Sequence, residues 1–296
     1  MPPNLRCTPA RTDQRAGFPT YDFFMGRELN PRVLGGTLDL KFFCELRPGL
    51  MGWAVLNAAF ALKQYEQLGF LTNSMILVLL FETYYVVDSF WFERCILTTM
   101  DITTDGFGFM LAFGDLAWVP LLYSLQARYL ASHPLELPVW GVIAIVALQL
   151  AGLYIFRSSN LQKDTFRTQP NDPSVEREWP NTRRRSSKSA HTAVTMFYSL
   201  CADLTFLKTS RGTRLITNGW WGMARHINYL GDWLMSVAWC LPTGFATPIT
   251  YFYAVYFAVL LIHRERRDDH KCSTKYGKDW QTYREKVPSR IVPGVY

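Results

Sequence analysis

The sequence predicts an all-α fold, a polytopic helical bundle embedded in a membrane, and three observations carry that expectation. Of the 296 residues, 49% are hydrophobic, 15% aromatic and only 19% charged. The apolar residues are bunched into long runs. No charge occurs from Leu137 to Phe156, where Arg157 closes the run, nor from Trp233 to Ile262, where His263 and Arg264 close it. A helix needs about 20 apolar residues to cross about 30 Å of hydrocarbon, and a helix buried on every side of a large soluble core is the rarer source of such a run. The net charge of +7 comes largely from the stretches Arg157–Arg225 and Arg264–Arg290, which flank apolar runs. Basic flanks of this kind face the cytosol. Orientation accounts for the basic balance, so no nucleic-acid partner is expected.

Taken in order, residues 1–47 are polar. Met1–Gly17 carries Arg6, Arg11 and Arg15 and no apolar core, so no signal peptide is expected and insertion relies on the first internal span. Within 48–156 four spans are expected: Pro48–Leu62, Leu68–Phe92, Phe107–Leu130 (interrupted by Asp115) and Leu137–Phe156. A cytosolic segment, 157–232, follows. It contains a basic, serine-rich insertion at about 177–202 with Arg183-Arg184-Arg185, which reads as a disordered loop. The short apolar piece Ala193–Leu200 within it suits an interfacial helix. The apolar stretch 233–262 would be about 45 Å long as one helix, too long for one untilted span, and both its flanks are basic. Pro242, Gly244 and Pro248 break it near the middle, which predicts a hairpin of Trp233–Leu241 and Ala246–Ile262. The tail, 263–296, is again cytosolic. About six transmembrane helices result, with both termini on one side. The six cysteines show no CxxC spacing, so neither a metal site nor a disulfide scaffold is indicated.

Polar groups at membrane depth are costly and are functional candidates. Glu82, Asp88 and Glu93 punctuate the second span, Asp101 and Asp105 follow it, and Asp115 interrupts the third. Tyr84, Tyr85, Trp91, Trp118, Tyr123 and Gln126 add hydrogen-bonding groups beside aromatic surface. Aromatic walls with a few placed polar groups suit a large, flat, apolar ligand. An aromatic belt with helix-to-helix hydrogen bonds accounts for the same residues equally well. The glycines of DGFGFMLAFGD lack the strand that a dinucleotide fingerprint requires and read as close helix packing.

Two polar segments, Gly219–Asp232 and His263–Tyr283, sit at the cytosolic ends of the last hairpin. Arg225, Arg264 and Arg267 suit phosphates, and Asn228, Asp232 and Asp268 suit ribose and amide groups. Their tryptophans and tyrosines offer stacking faces. Interfacial anchoring by Trp, Tyr and Arg explains the same composition without a ligand.

YDFFMGRELNPR (Tyr21–Arg32) and LLIHRERRDDHKCSTKYGKDWQTY (Leu260–Tyr283) resemble the two signatures of the sterol reductase family. That family takes in sterol C-14, Δ7 and C-24(28) reductases and the lamin B receptor. The likeness continues through LKFFCELRPGLMGW, YYVVDSFWFE, LTTMDITTDGFGFMLAFGDLAWVP and GWWGMARHINYLGDWLMSVAWCLP, and CELRPG with TTMDITTDGFGFMLAFGD is most similar to the C-14 reductase and lamin B receptor branch. Three departures stand out. Family members carry further transmembrane helices before the first signature, residues 177–202 are extra, and Ile227 stands where the family usually has proline.

The resemblance implies NADPH-dependent reduction of a sterol-nucleus double bond, most similar to Δ14 (C14=C15), in an endoplasmic-reticulum or inner-nuclear membrane. It places the NADPH pocket on the cytosolic side, with Lys163 and Arg167 on phosphates. Trp221, Asn228, Tyr229 and Asp232 would contact nicotinamide and ribose, and Arg264, Asp268, Cys272, Tyr276 and Tyr283 would complete the pocket. Tyr85 and Asp268, with Asp88 as substitute, are the candidate proton path. Trp91, Asp115, Trp118, Tyr123 and Gln126 are the candidate sterol contacts. A sterol and the bilayer are the expected partners, and no obligate protein partner is evident. The competing readings are a Δ7-sterol reductase, a non-catalytic scaffold of lamin B receptor type, an inactive truncated isoform, and an isoprenylcysteine-type methyltransferase. The first signature and the Asp268–Cys272–Tyr276–Tyr283 series argue against the last.

Overall fold

A computed structural model describes residues 18–93, 97, 100–168 and 204–296. The expected insertion at 177–202, the piece Ala193–Leu200 and the segment Met1–Gly17 lie outside the described residues. Helix dominates, as expected of an all-α chain, and among the described residues the strands form only two short antiparallel hairpins. Among the described residues, three helices are long and apolar enough to cross a membrane: Asn73–Trp91, Phe109–Ser132 and Val139–Arg167. The chain divides into two compact units, residues up to Val142 with Trp239–Tyr253, and Ile143–Ala238 with Ala254–Tyr296.

In the first unit, helix Pro19–Met25 leads to the small hairpin Arg32–Val33 with Leu38–Asp39. Asp39 then accepts a hydrogen bond from Phe42 N (3.0 Å) and caps helix Leu40–Cys44. A π-helical stretch, Glu45–Met51, absorbs Pro48 and runs into helix Gly52–Leu68. The first expected span is therefore too short at its end, and the second starts too early. Gly69, at φ 79°, terminates one helix and the Thr72 hydroxyl caps the next, so Leu68 ends a helix instead of opening one. Gln64 ties the ends together: its amide donates to Leu130 O (2.7 Å) and its carbonyl oxygen accepts from Thr72 N (3.0 Å). Small side chains at Ala61, Ala127 and Ala131, with Met75, Val78 and Leu130, let these helices close on one another.

In the second unit, helix Val139–Thr168 continues well past Phe156, the expected end of the fourth span. Apolar character stops at Arg157, but helix-forming residues do not, so the span and the start of the polar segment are one rod. It crosses helix Ile227–Cys240 where Gly152 meets Gly231. Where Pro242, Gly244 and Pro248 were expected to break the stretch, the chain forms two 3₁₀ turns, Leu241–Thr243 and Ile249–Tyr251. Helix Phe252–Tyr276 again outruns its expected apolar limit at Ile262. Hairpin Phe206–Lys208 with Arg214–Ile216 packs on Phe166, Leu204 and Trp221. Helix Lys278–Lys286 buries Trp280 and Tyr283 against the turn residue Val287.

Candidate functional site

In the second unit, a cavity of about 250 Å³ opens between the end of helix Val139–Thr168, the hairpin strand Arg214–Ile216 and the polar end of helix Phe252–Tyr276. Lys163, Arg167, Arg214, Arg225, Lys271 and Lys275 line it, against the single carboxylate of Asp268. Phe166, Trp221, Tyr276, Trp280 and Tyr283 supply its aromatic faces. On helix Phe252–Tyr276 the lining residues Asp268, Cys272 and Tyr276 recur every four residues, one stripe of a helix. The Lys163 ammonium lies 4.3 Å from the centre of the Trp221 ring, and Trp221 Nε1 donates to Ser159 O (2.9 Å), so lysine and indole fix each other's place.

Electrostatics sort the titratable groups. Burial pushes the Cys272 thiol up to about 12, reinforced by Asp268, whose Oδ2 lies 3.9 Å away, so this sulfur is a neutral thiol at neutral pH. The Tyr283 hydroxyl is likewise raised by burial and stays protonated. His226 sits 3.6 Å from Asp268 Oδ2, yet burial outweighs that attraction and lowers its imidazole to about 4. Arg225 is held by Asp269 at 2.9 Å, and the same carboxylate oxygen accepts from Trp280 Nε1 at 3.0 Å. Fixed positive charge and flat faces make this cavity fit for a phosphate-bearing ligand with ring systems. The buried Asn228 Oδ1 and Trp220 Nε1 have no hydrogen-bond partner among the described residues, and neither residue lines the cavity.

Six expected cofactor residues line the cavity: Lys163, Arg167, Trp221, Asp268, Cys272 and Tyr276, with Tyr283 as a seventh. The other four lie outside the lining. Asn228 Nδ2 donates to Asn160 Oδ1 (3.4 Å), Tyr229 stacks on His226 with centroids 4.9 Å apart, and Arg264 acts electrostatically on Asp232. Arg214, Lys271, Lys275, His226 and Trp280 were not singled out from the sequence. Helical spacing around Asp268 and Cys272 points to Lys271 and Lys275, whereas nothing local points to Arg214.

In the first unit the expected sterol and proton-path residues separate. Tyr85 enters an aromatic cluster: Trp53 lies 6.1 Å from it and 5.4 Å from Tyr123, Trp239 lies 5.1 Å from Tyr85, and Tyr253 lies 4.5 Å from Tyr123. Glu82, fully buried one turn before Tyr85, accepts from Trp53 Nε1 (2.8 Å) and from Asn57 Nδ2 through one carboxylate oxygen. Gln126 Nε2 donates to Thr250 O (3.2 Å), and Trp118 packs 6.0 Å from Phe252. Asp115 is buried in the π-helical turn Gly114–Trp118, and Asp88 is half-buried. Trp91 is 82% exposed at the end of its helix and stands apart from this cluster. Glu82 was expected as a buried acid at membrane depth, but its partners Trp53 and Asn57 were not singled out from the sequence.

Residues 8–296 match the profile of the ergosterol biosynthesis ERG4/ERG24 family. The chain belongs to that family. As an ERG4/ERG24 family member it is similar to the Delta(14)-sterol reductase erg24 of Schizosaccharomyces pombe, 55% identical over 93% of this chain and 59% of the relative. It is similar to the Delta(14)-sterol reductase of Ascobolus immersus, 51% identical over 93% of this chain and 58% of that protein. The Delta(14)-sterol reductase of Methylotuvimicrobium alcaliphilum is 49% identical over 96% of this chain and 60% of that protein. This family member thus spans about three-fifths of the length of the curated relatives it matches.

Proposed function

We propose that this chain works as an NADPH-dependent reductase of the Δ14 double bond of sterols, as a multi-pass protein of about six spans in the endoplasmic-reticulum membrane with its nucleotide pocket toward the cytosol. The observation that carries this reading is the basic, aromatic-walled cavity in a chain whose relatives bear the name Delta(14)-sterol reductase. When bound, NADPH would supply a hydride to C14 while a proton is added at C15, so that the alkene gains two electrons and NADP+ leaves.

Lys163 and Arg167 hold phosphate charge in this reading. Trp221, Tyr276 and Tyr283 offer faces and hydroxyls to the rings and ribose, and the unpartnered Asn228 Oδ1 accepts from an amide or hydroxyl. Cys272 is a neutral donor beside Asp268, not a nucleophile. Asn228, Tyr229, Asp232 and Arg264 support the nicotinamide side. An isolated alkene is a weak base, so protonation needs an acid held in a dry site. Tyr85, Asp268 and Asp88 are the candidates. Tyr85 is favoured for the sterol side by its place among Trp53, Tyr123 and Trp239, whose faces would stabilise developing positive charge. Trp118, Tyr123 and Gln126 remain sterol contacts in this reading, with Trp91 and Asp115 at its margins.

The test is expression in a yeast strain lacking its C-14 reductase, with sterols profiled and the protein checked for folding. Recovered ergosterol supports the assignment. Persistent Δ14 sterols beside well-folded protein overturn it.

A further inference from the structure

Hairpin Phe206–Lys208 with Arg214–Ile216 is a wall of the cavity, and it carries the one lining cation that does not come from a helix or a helix junction, Arg214. The Arg214 guanidinium is bracketed by two aromatic faces, 5.2 Å from the Phe166 centroid and 5.1 Å from that of Phe206. Stacking of this kind holds a planar fork in one orientation, the geometry suited to a phosphate monoester.

The hairpin is tied down at its tip. Ser210 N and Ser210 Oγ both donate to Asp279 Oδ2, each at 2.8 Å, and Asp279 stands in the first turn of helix Lys278–Lys286. The turn itself is stiff. Thr209 N donates to Thr213 O (2.8 Å), Gly212 N donates to Thr209 O (2.9 Å), and Gly212 takes a φ of 77°. A constraint applied at Ser210 is therefore passed to Arg214, which pairs across the hairpin with Lys208. Those two donations hold the Asp279 carboxyl below the usual range.

We propose that Arg214 reads the extra phosphate that distinguishes the phosphorylated dinucleotide, and that Asp279, acting through Ser210, is the positioning residue that keeps Arg214 in the pocket. This rests on the nucleotide reading of the cavity and adds to it the residue that sets cofactor selectivity. Loosening the tip would weaken binding only where the extra phosphate is present, because Phe166, Trp221 and the helix-borne cations stay in place.

The experiment measures NADPH and NADH dissociation constants by titration of the full chain in detergent, for wild type, Arg214→Gln, Asp279→Asn, Ser210→Ala and Ser210→Thr. Arg214→Gln should weaken NADPH roughly tenfold and leave NADH within about twofold. Asp279→Asn should move the NADPH to NADH ratio in the same direction. Ser210→Ala, which keeps the backbone donor, should move it less, and Ser210→Thr should restore it. Equal ratios in wild type, Arg214→Gln and Asp279→Asn would overturn the proposal while leaving the nucleotide pocket intact. Wild-type protein that binds neither nucleotide would remove the pocket reading and this proposal together. Ser210→Ala, an exposed side-chain deletion, keeps the test open if Asp279→Asn fails to fold.

Discussion

Gly152 and Gly231 meet backbone against backbone: a methyl group on Gly231 would sit 2.6 Å from Phe156 N and 2.7 Å from Gly152 O. That crossing sets helix Val139–Thr168 against helix Ile227–Cys240, and so sets Lys163 relative to His226 in the cavity below. Gly231→Ala should force the helices apart at a cost of about 1–3 kcal/mol, with weaker nucleotide binding as the companion effect. Thermal unfolding in detergent alongside a nucleotide titration checks it. An unchanged midpoint would mean the helices slide freely, against the geometry.

Acid should loosen the second unit through His226. Its imidazole is 11% exposed and titrates at about 4, against about 6.5 in the unfolded chain. Burial dominates, Asp268 and Asp269 oppose it, and Lys163 and Arg225 assist it. The folded state prefers the neutral ring, so this stability is fully present above about pH 6.5 and is lost as pH falls toward 4. The loss reaches about 3 kcal/mol by pH 4. Melting curves between pH 7 and 4.5 should shift downward in wild type and shift less in His226→Gln. Equal slopes in both would rule out His226 as the source.

Asp269 holds Arg225 at 2.9 Å, where the arginine side chain is 3% exposed, and also accepts from Trp280. Asp269→Ala leaves a buried guanidinium without that partner and should destabilise the unit by about 3–5 kcal/mol. Asp269→Asn keeps an acceptor and should cost less. Chemical denaturation of the two variants side by side gives the comparison, and equal loss in both would argue that packing, not charge, is at stake.

Glu82→Ala, on a helix long and apolar enough to cross a membrane, strands two donors at once, Trp53 Nε1 and Asn57 Nδ2. A loss of about 2–6 kcal/mol is expected, at about 1–3 kcal/mol for each unmet group. Glu82→Gln, which keeps an acceptor oxygen, should retain most of the stability. Tryptophan fluorescence should report the change, since Trp53 lies in the affected cluster. No spectral shift in Glu82→Ala would disconnect Glu82 from it.

Much of this was legible along the chain. The apolar runs marked where helices lie, and Pro242 with Gly244 marked the break that two 3₁₀ turns now fill. The resemblance to the family singled out Asp268, Cys272 and Tyr276, and all three line the cavity on one stripe of their helix. Helix ends were less legible. Hydropathy falls off at Phe156 and Ile262, but backbone hydrogen bonding continues to Thr168 and Tyr276, because charged residues form helix as readily as apolar ones. Trp91, expected as a sterol contact, stands 82% exposed at the end of its helix, a placement that composition does not reveal.

Local order needs only neighbours within a turn or two, so composition and spacing determined the helical, membrane-embedded character of the chain and the family signatures it carries. Tertiary structure alone decided that Arg214 on a hairpin joins Lys163 and Lys275, that Asp279 anchors Ser210, and that Glu82 answers Trp53 and Asn57. These partners lie far apart in sequence and share no period. Only the closing of helices over small residues such as Gly152 and Gly231 brings the distant members of the cavity within reach of one another.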